Sequence, residues 1–247
     1  LAEFGGGIDN SGTITLLDSQ LSRNNTLHFG IGGALFNESV GTVSMLRDQL
    51  TENTAGGGGA IFSVGDITMS DSTLSNNSAD NSGGAITNYG SLAMNHTVVS
   101  HNSSFDGGAI LNGGTMTILA SEISYNSANV SGGSGGGIIN IGMLTIGASQ
   151  ILENTAAAGG AVDNDTGTLA MSGCLVSGNS ASEFGGGILN WDTMTIEDCT
   201  VSDNNGGSFG GGVANLGTLS VKSSTFSANT PDNIFGGWTD LGGNTFS

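Results

Sequence analysis

Residues 184–204 read FGGGILNWDTMTIEDCTVSDN, and the reading of this stretch decides the fold. It opens on a glycine pair and an aliphatic residue, with asparagine two positions on. A short turn leads to Thr-x-Thr with apolar residues between the hydroxyls, and then to Ser/Cys-x-aliphatic-Ser/Thr-x-Asn. The aliphatic residue of the first piece recurs at Ile8, Leu35, Ile61, Ile86, Ile110, Ile138, Val162, Ile188 and Val213. Copies spaced roughly 25 residues apart point to a solenoid or propeller. Strict alternation in the second piece, as in Thr193-Met194-Thr195-Ile196 and Thr115-Met116-Thr117-Ile118, is the period of a half-buried strand with hydroxyls outside. Three short strands separated by turns make one triangular rung. Rungs of equal length stack their strands in parallel at about 4.8 Å, so nine of them form a rod about 40–45 Å long.

The expected fold is therefore all-β, a right-handed parallel β-helix (β-solenoid) of about nine rungs of three short strands. Right-handedness follows from the near-universal hand of parallel crossovers. Residues 1–247 form a single β-solenoid domain, of which 230–247 read as a degenerate terminal rung. The chain starts at Leu1 without Met, as a processed or excised segment would. Rung length varies between the third strand and the next glycine pair. The longest inserts there, residues 25–31 and 127–134, read as drift in loop length.

Two asparagine series mark the rung. One ends the first strand: Asn10, Asn37, Asn88, Asn112, Asn140, Asn164, Asn190 and Asn215, with Ser63 as the exception. The other follows the third strand: Asn24, Asn53, Asn77, Asn102, Asn126, Asn154, Asn179, Asn204 and Asn229. In stacked rungs such residues form ladders, each amide bonding its neighbour. Asparagine also tolerates the left-handed backbone of a sharp corner.

The chain resembles the chlamydial polymorphic outer membrane proteins at these positions. Gly83-Gly84-Ala85-Ile86 and Gly107-Gly108-Ala109-Ile110 match their GGAI tetrapeptide, and Phe226-Ser227-Ala228-Asn229 matches their FxxN motif. The other copies carry Leu, Ile or Val in place of that Phe. The resemblance implies a parallel β-helix of the kind found in bacterial surface adhesins and autotransporter passengers, and it speaks to fold more than to function.

Three cations, Arg23, Arg47 and Lys222, against a formal charge of -18 make nucleic acid and anionic membranes poor partners. No apolar run approaches the ~18 residues of a membrane span, so no membrane insertion is expected. The setting implied is extracellular or cell surface.

Four constellations bear on function. Outward hydroxyls of the second strand fall in two columns, Thr13, Thr42, Ser91, Thr115, Thr168, Thr193 and Thr218, and Thr15, Ser44, Thr68, Thr117, Thr145, Thr195 and Ser220. They resemble the Thr-x-Thr face of β-helical ice-binding proteins, interrupted by Asp66, Ala93, Met143 and Ala170. On the first strand, Phe36, Phe62, Leu111, Ile139 and Leu189, flanked by Ala34, Ala60, Ala109, Gly137 and Gly187, read as an outward apolar contact strip. Cys174 and Cys199 occupy the same position one rung apart, within disulfide reach, and are equally readable as buried free thiols. Glu197, Asp198, Asp192 and Asp203 crowd one region but with no cleft-forming loops, and His28, His96 and His101 have no metal-ligand companions. The expectation is a non-enzymatic protein without cofactor or metal, associating with itself or with other surface proteins. Head-to-tail polymerisation through uncapped ends, ice, and glycan binding or cleavage are the further readings.

Overall fold

The computed structural model describes residues 2–129 and 131–247 and, of His28, the backbone alone. The rod is built of four parallel sheets, three running its length and one ending at Ser180–Phe184, and each takes its strands in chain order, one per rung. One rung illustrates the rest. Strand Ser78–Ser82 leads to Ile86–Asn88, then Ser91–Asn95, then Val98–Ser100, before the chain enters the next rung. We call the sheets built from these the linking, glycine, threonine and asparagine sheets. The last three hold ten strands each among the described residues and the linking sheet eight.

Register is kept without slippage in three of the four. Ile86 pairs Ile61 below and Ile110 above, and Met94 pairs Met69 and Ile118. A one-residue slip in any rung exposes its whole apolar set. The core is therefore a column of like side chains: Ile86, Leu92, Met94 and Val99 in this rung, each at most 2% exposed. Residues 230–247 continue the stack, with Ile234–Phe235, Thr239–Asp240 and Thr245–Phe246 pairing onto the three main sheets.

Besides the three expected strands, each of eight described rungs carries a linking strand in the region read as variable loop. The residue-25 insert, for example, forms the strand Thr26–Ile31. Short apolar or small residues such as Ala79, Ala156 and Ala181 let these strands lie close to the rod.

The corners also differ from expectation. The left-handed backbone is taken by the residue before each corner Asn, not by the Asn: Arg23 (φ 56°), Glu52 (57°), His101 (57°), Tyr125 (55°) and Asp203 (58°). A second such series, including Asp18, Arg47, His96 and Asp198, turns the chain between the threonine and asparagine strands. The αL residue points its side chain to solvent, which frees the asparagine to turn inward.

Candidate functional site: files of side chains on a β-rod

Stacking in register converts each sequence column into a physical file. The asparagine-corner file is continuous from Asn24 to Asn229. In each step Nδ2 donates to the next Oδ1 at 2.9–3.0 Å, as for Asn126 to Asn154 and Asn154 to Asn179. The same Oδ1 accepts the backbone N–H of the preceding corner, and the amide also donates to a third-strand carbonyl, as Asn126 does to Val99. The glycine-strand file links Asn10 to Asn37 (2.8 Å), and Asn88, Asn112, Asn140, Asn164, Asn190 and Asn215 in turn. Ser63 interrupts it: its hydroxyl accepts from Asn37 but donates to Gly65 O of its own rung. A third file, the column that holds Cys174 and Cys199, was not read as a ladder in the sequence. At the threonine–asparagine corner, backbone N–H groups donate to Asp48, Ser72, Ser121, Ser149, Cys199, Ser224 and Asn244 of the following rung. Its only sequence trace is a small polar residue two places before each third-strand aliphatic.

Cys174 and Cys199 belong to that third file. Both thiols are free and buried, and the Cys199 sulfur accepts the Cys174 N–H at 3.3 Å. Hydrogen bonding from Cys199 pulls the Cys174 thiol down to about 7. The facing Cys174 side chain, and then burial, push Cys199 up, while the bond from the Cys174 N–H works the other way.

The threonine sheet puts Thr13, Thr15, Thr42, Thr68, Thr115, Thr193, Thr195 and Thr218 on its exposed face, with Thr117 half-buried. Register sets Thr13 on Thr42 and Thr193 on Thr218, and sets the interrupting Asp66 and Met143 in the same file.

The apolar strip requires correction. Leu111 is 8% and Leu189 2% exposed, while Phe36, Phe62 and Ile139 are half-buried. The cause is the linking sheet, which folds over the outer side of the glycine sheet. There Phe184, Phe209 and Ala158 pack on Leu189 and Ala214 as a second small core. Ala34, Ala60 and Ala109 are not outward either. They are fully buried in the main core, and side chains at Gly137 or Gly187 would meet the corner amides of Asn154 or Asn204. The bend after the glycine pair turns this position inward, which a pure period-two reading misses.

The aromatic part of the strip lies at the first rungs. Phe4, Phe36, Phe62 and Tyr89 form an aromatic file with ring centroids 5.2, 5.9 and 5.7 Å apart. Its ends, Phe4 and Tyr89, are about half exposed (48% and 47%). Beside it, Phe4, Asp9, Phe36, Glu38, Ser39 and Val64 line an open hollow of about 410 Å³.

The carboxylates considered for catalysis are spread over separate features. Glu197 pairs with Lys222, Asp192 accepts from the Thr193 hydroxyl, and Asp198 and Asp203 sit in left-handed corners. His96 and His101 occupy two corners of one rung, and His101 stacks on Tyr125 at 5.3 Å. Among the described residues, no group of three or more His, Cys, Asp or Glu is placed to hold a metal ion.

Neither the curated proteins nor the solved structures contain a match to the chain. One stretch does match a family model. Residues 71–89, which run from a left-handed corner through Asn77 and the glycine pair to Asn88, match the Chlamydia polymorphic membrane protein (Chlamydia_PMP) repeat. The chain is thus a parallel β-solenoid, one unit of which is similar to the polymorphic membrane protein repeat and sits in register among units of the same geometry.

Proposed function

We propose that the protein is a rigid, non-enzymatic rod of the cell surface that works by adhesive contact along its side. The observation that carries this reading is the match of residues 71–89 to a membrane-protein repeat, within a stack of the same unit. A rod cross-braced by a continuous corner file of asparagines holds its surface side chains at fixed spacing, which lowers the ordering cost of binding. The aromatic file Phe4–Phe36–Phe62–Tyr89, with Asp9 and Glu38 beside it, supplies flat apolar area with acidic flanks. Such surfaces take a partner carrying apolar and basic groups.

The test is saturable binding of labelled protein to intact cells, competed by unlabelled protein and weakened by Phe36→Ser with Phe62→Ser. Binding that never saturates, or products released from a glycan panel, would count against this reading. Axial self-assembly belongs to the same proposal, since parallel strand edges at a terminal rung pair readily with another chain. Sedimentation across a concentration range decides it, and a strictly monomeric chain removes it. Ice is the weaker second reading, supported by the in-register hydroxyl files of the threonine sheet and opposed by Asp66 and Met143 within them. Absence of thermal hysteresis eliminates it.

A further inference from the structure

Asp163 is out of place in its file. Its neighbours on the outer side of the glycine sheet are Ile139 below and Leu189 above. The linking sheet covers it, leaving 4% of the residue exposed, and its Oδ1 has no hydrogen-bond partner among the described residues. The nearby Ser134 side chain favours its charged form, but less strongly than burial opposes it. Ser134 in turn donates its backbone N–H to Asp106 Oδ1 at 2.9 Å. Two carboxyl groups from rungs two apart therefore lie either side of one serine of the rung between them, Asp106 bonded to it and Asp163 within its influence.

Nothing positive answers them. The charged groups acting on Asp163 are Asp106, in the turn before a glycine strand, and Asp165, just past the end of its own strand. Ile139, Leu189 and Ala158, the residues next to it on the packed strands, carry no charge. The chain's three cations are engaged elsewhere, in exposed pairs of Arg23 with Glu52, Arg47 with Asp18 and Lys222 with Glu197. An ionised carboxylate buried without a counter-charge is costly, and a proton removes that cost.

We propose that Asp163, bracketing Ser134 with Asp106, is a proton-operated latch that holds the linking sheet against the rod in acid and loosens it as the medium turns neutral to alkaline. Loss of the Asp163 proton to solvent leaves a buried anion facing two others, and the cheapest relief is for water to enter between the linking strand and the glycine strand. The contacts to give way first are those around Ser134: its bridge to Ala158, and the Gly135 N–H to Ala158 O bond of 3.0 Å. Burial as the first cause, with Asp165 and Asp106 adding to it, pushes the Asp163 carboxyl up to about 7, which sets the working range of the latch near neutrality. The latch does not rest on the adhesive reading and survives its failure.

Carboxyl-carbon NMR of the whole chain tests the latch, together with amide exchange at Gly135 and Ala157 expressed as protection factors. Asp163 is expected to titrate near neutrality, and its midpoint to fall in Asp106→Asn. Protection at both amides should drop at least about tenfold between about pH 5.5 and about pH 8.5 in the native chain, and stay level in Asp163→Asn. If Asp163 titrates with the surface aspartates, or Asp163→Asn keeps the native pH dependence, the latch does not exist. Should Asp163→Asn fail to fold, the titration of the native chain and of Asp106→Asn decides alone.

Discussion

Replacing Asn126 by alanine probes the corner file at its middle. Asn126 is 1% exposed and makes four side-chain bonds. Its Nδ2 donates to Asn154 Oδ1 and Val99 O, and its Oδ1 accepts from Asn102 N and Asn102 Nδ2, all at 2.9–3.0 Å. Asn102 Nδ2 keeps the Leu74 and Ser100 carbonyls, and Asn154 Oδ1 keeps the Asn126 N–H. The Asn102 N–H loses its one acceptor among the described residues, and an orphaned buried donor costs about 1–3 kcal/mol. The remaining three bonds add about 1 kcal/mol each, so the substitution is expected to destabilise by about 4–6 kcal/mol in all. That is well beyond the ~1 kcal/mol of an ordinary point mutation. Urea unfolding followed by circular dichroism measures it, and amide exchange at Asn102 shows whether the loss begins at the altered corner, since a stack loses stability locally through nearest neighbours. A loss under about 1 kcal/mol, or unchanged protection at Asn102, would mean that the file decorates the rod without bracing it.

Ser63→Asn mends the break in the other file and should gain about 1 kcal/mol in the same denaturation assay. Leu189→Ala should cost about 2–5 kcal/mol if the residue is buried under the linking sheet, against the few tenths typical of an exposed strip position. For Asp163 the sign is fixed by linkage. Its folded value of about 7 lies above the ordinary 3.8, so the folded chain holds the extra proton between them. Stability is then lost as pH rises from about 4 to about 7, by about 4 kcal/mol, and levels off above. The denaturation midpoint of Asp163→Asn should lack this decline.

The main sheets were legible because their signal repeats. Nine aliphatic positions, the alternation in Thr193-Met194-Thr195-Ile196 and the glycine pairs all demand the same stack, and in Gly84 a side chain would collide with the Gly108 carbonyl of the next rung. The linking sheet was not legible, because its strands vary in length and composition: Thr26–Ile31 is apolar while Ser78–Ser82 is polar. Missing that layer made Leu111 and Leu189 look exposed. The corner residues were misassigned for a related reason. Arg23, Glu52, His101 and Tyr125 share no chemistry, only a backbone angle, and nothing in residue identity announces it. Asp163 was passed over because a lone acid on an outward strand position is ordinary until something covers it.

Distances along the threonine sheet test the stack most directly. Spin labels at Thr42→Cys and Thr193→Cys, with Cys174→Ser and Cys199→Ser to remove the native thiols, sit six rungs apart in one file. At about 4.8 Å per rung their backbones lie about 29 Å apart, and moving one label to Thr115 should shorten the distance to about 14 Å. Distances that step in proportion to rung number uphold the register. Distances that do not scale with rung number would contradict it, and the files and faces described above would fall with it.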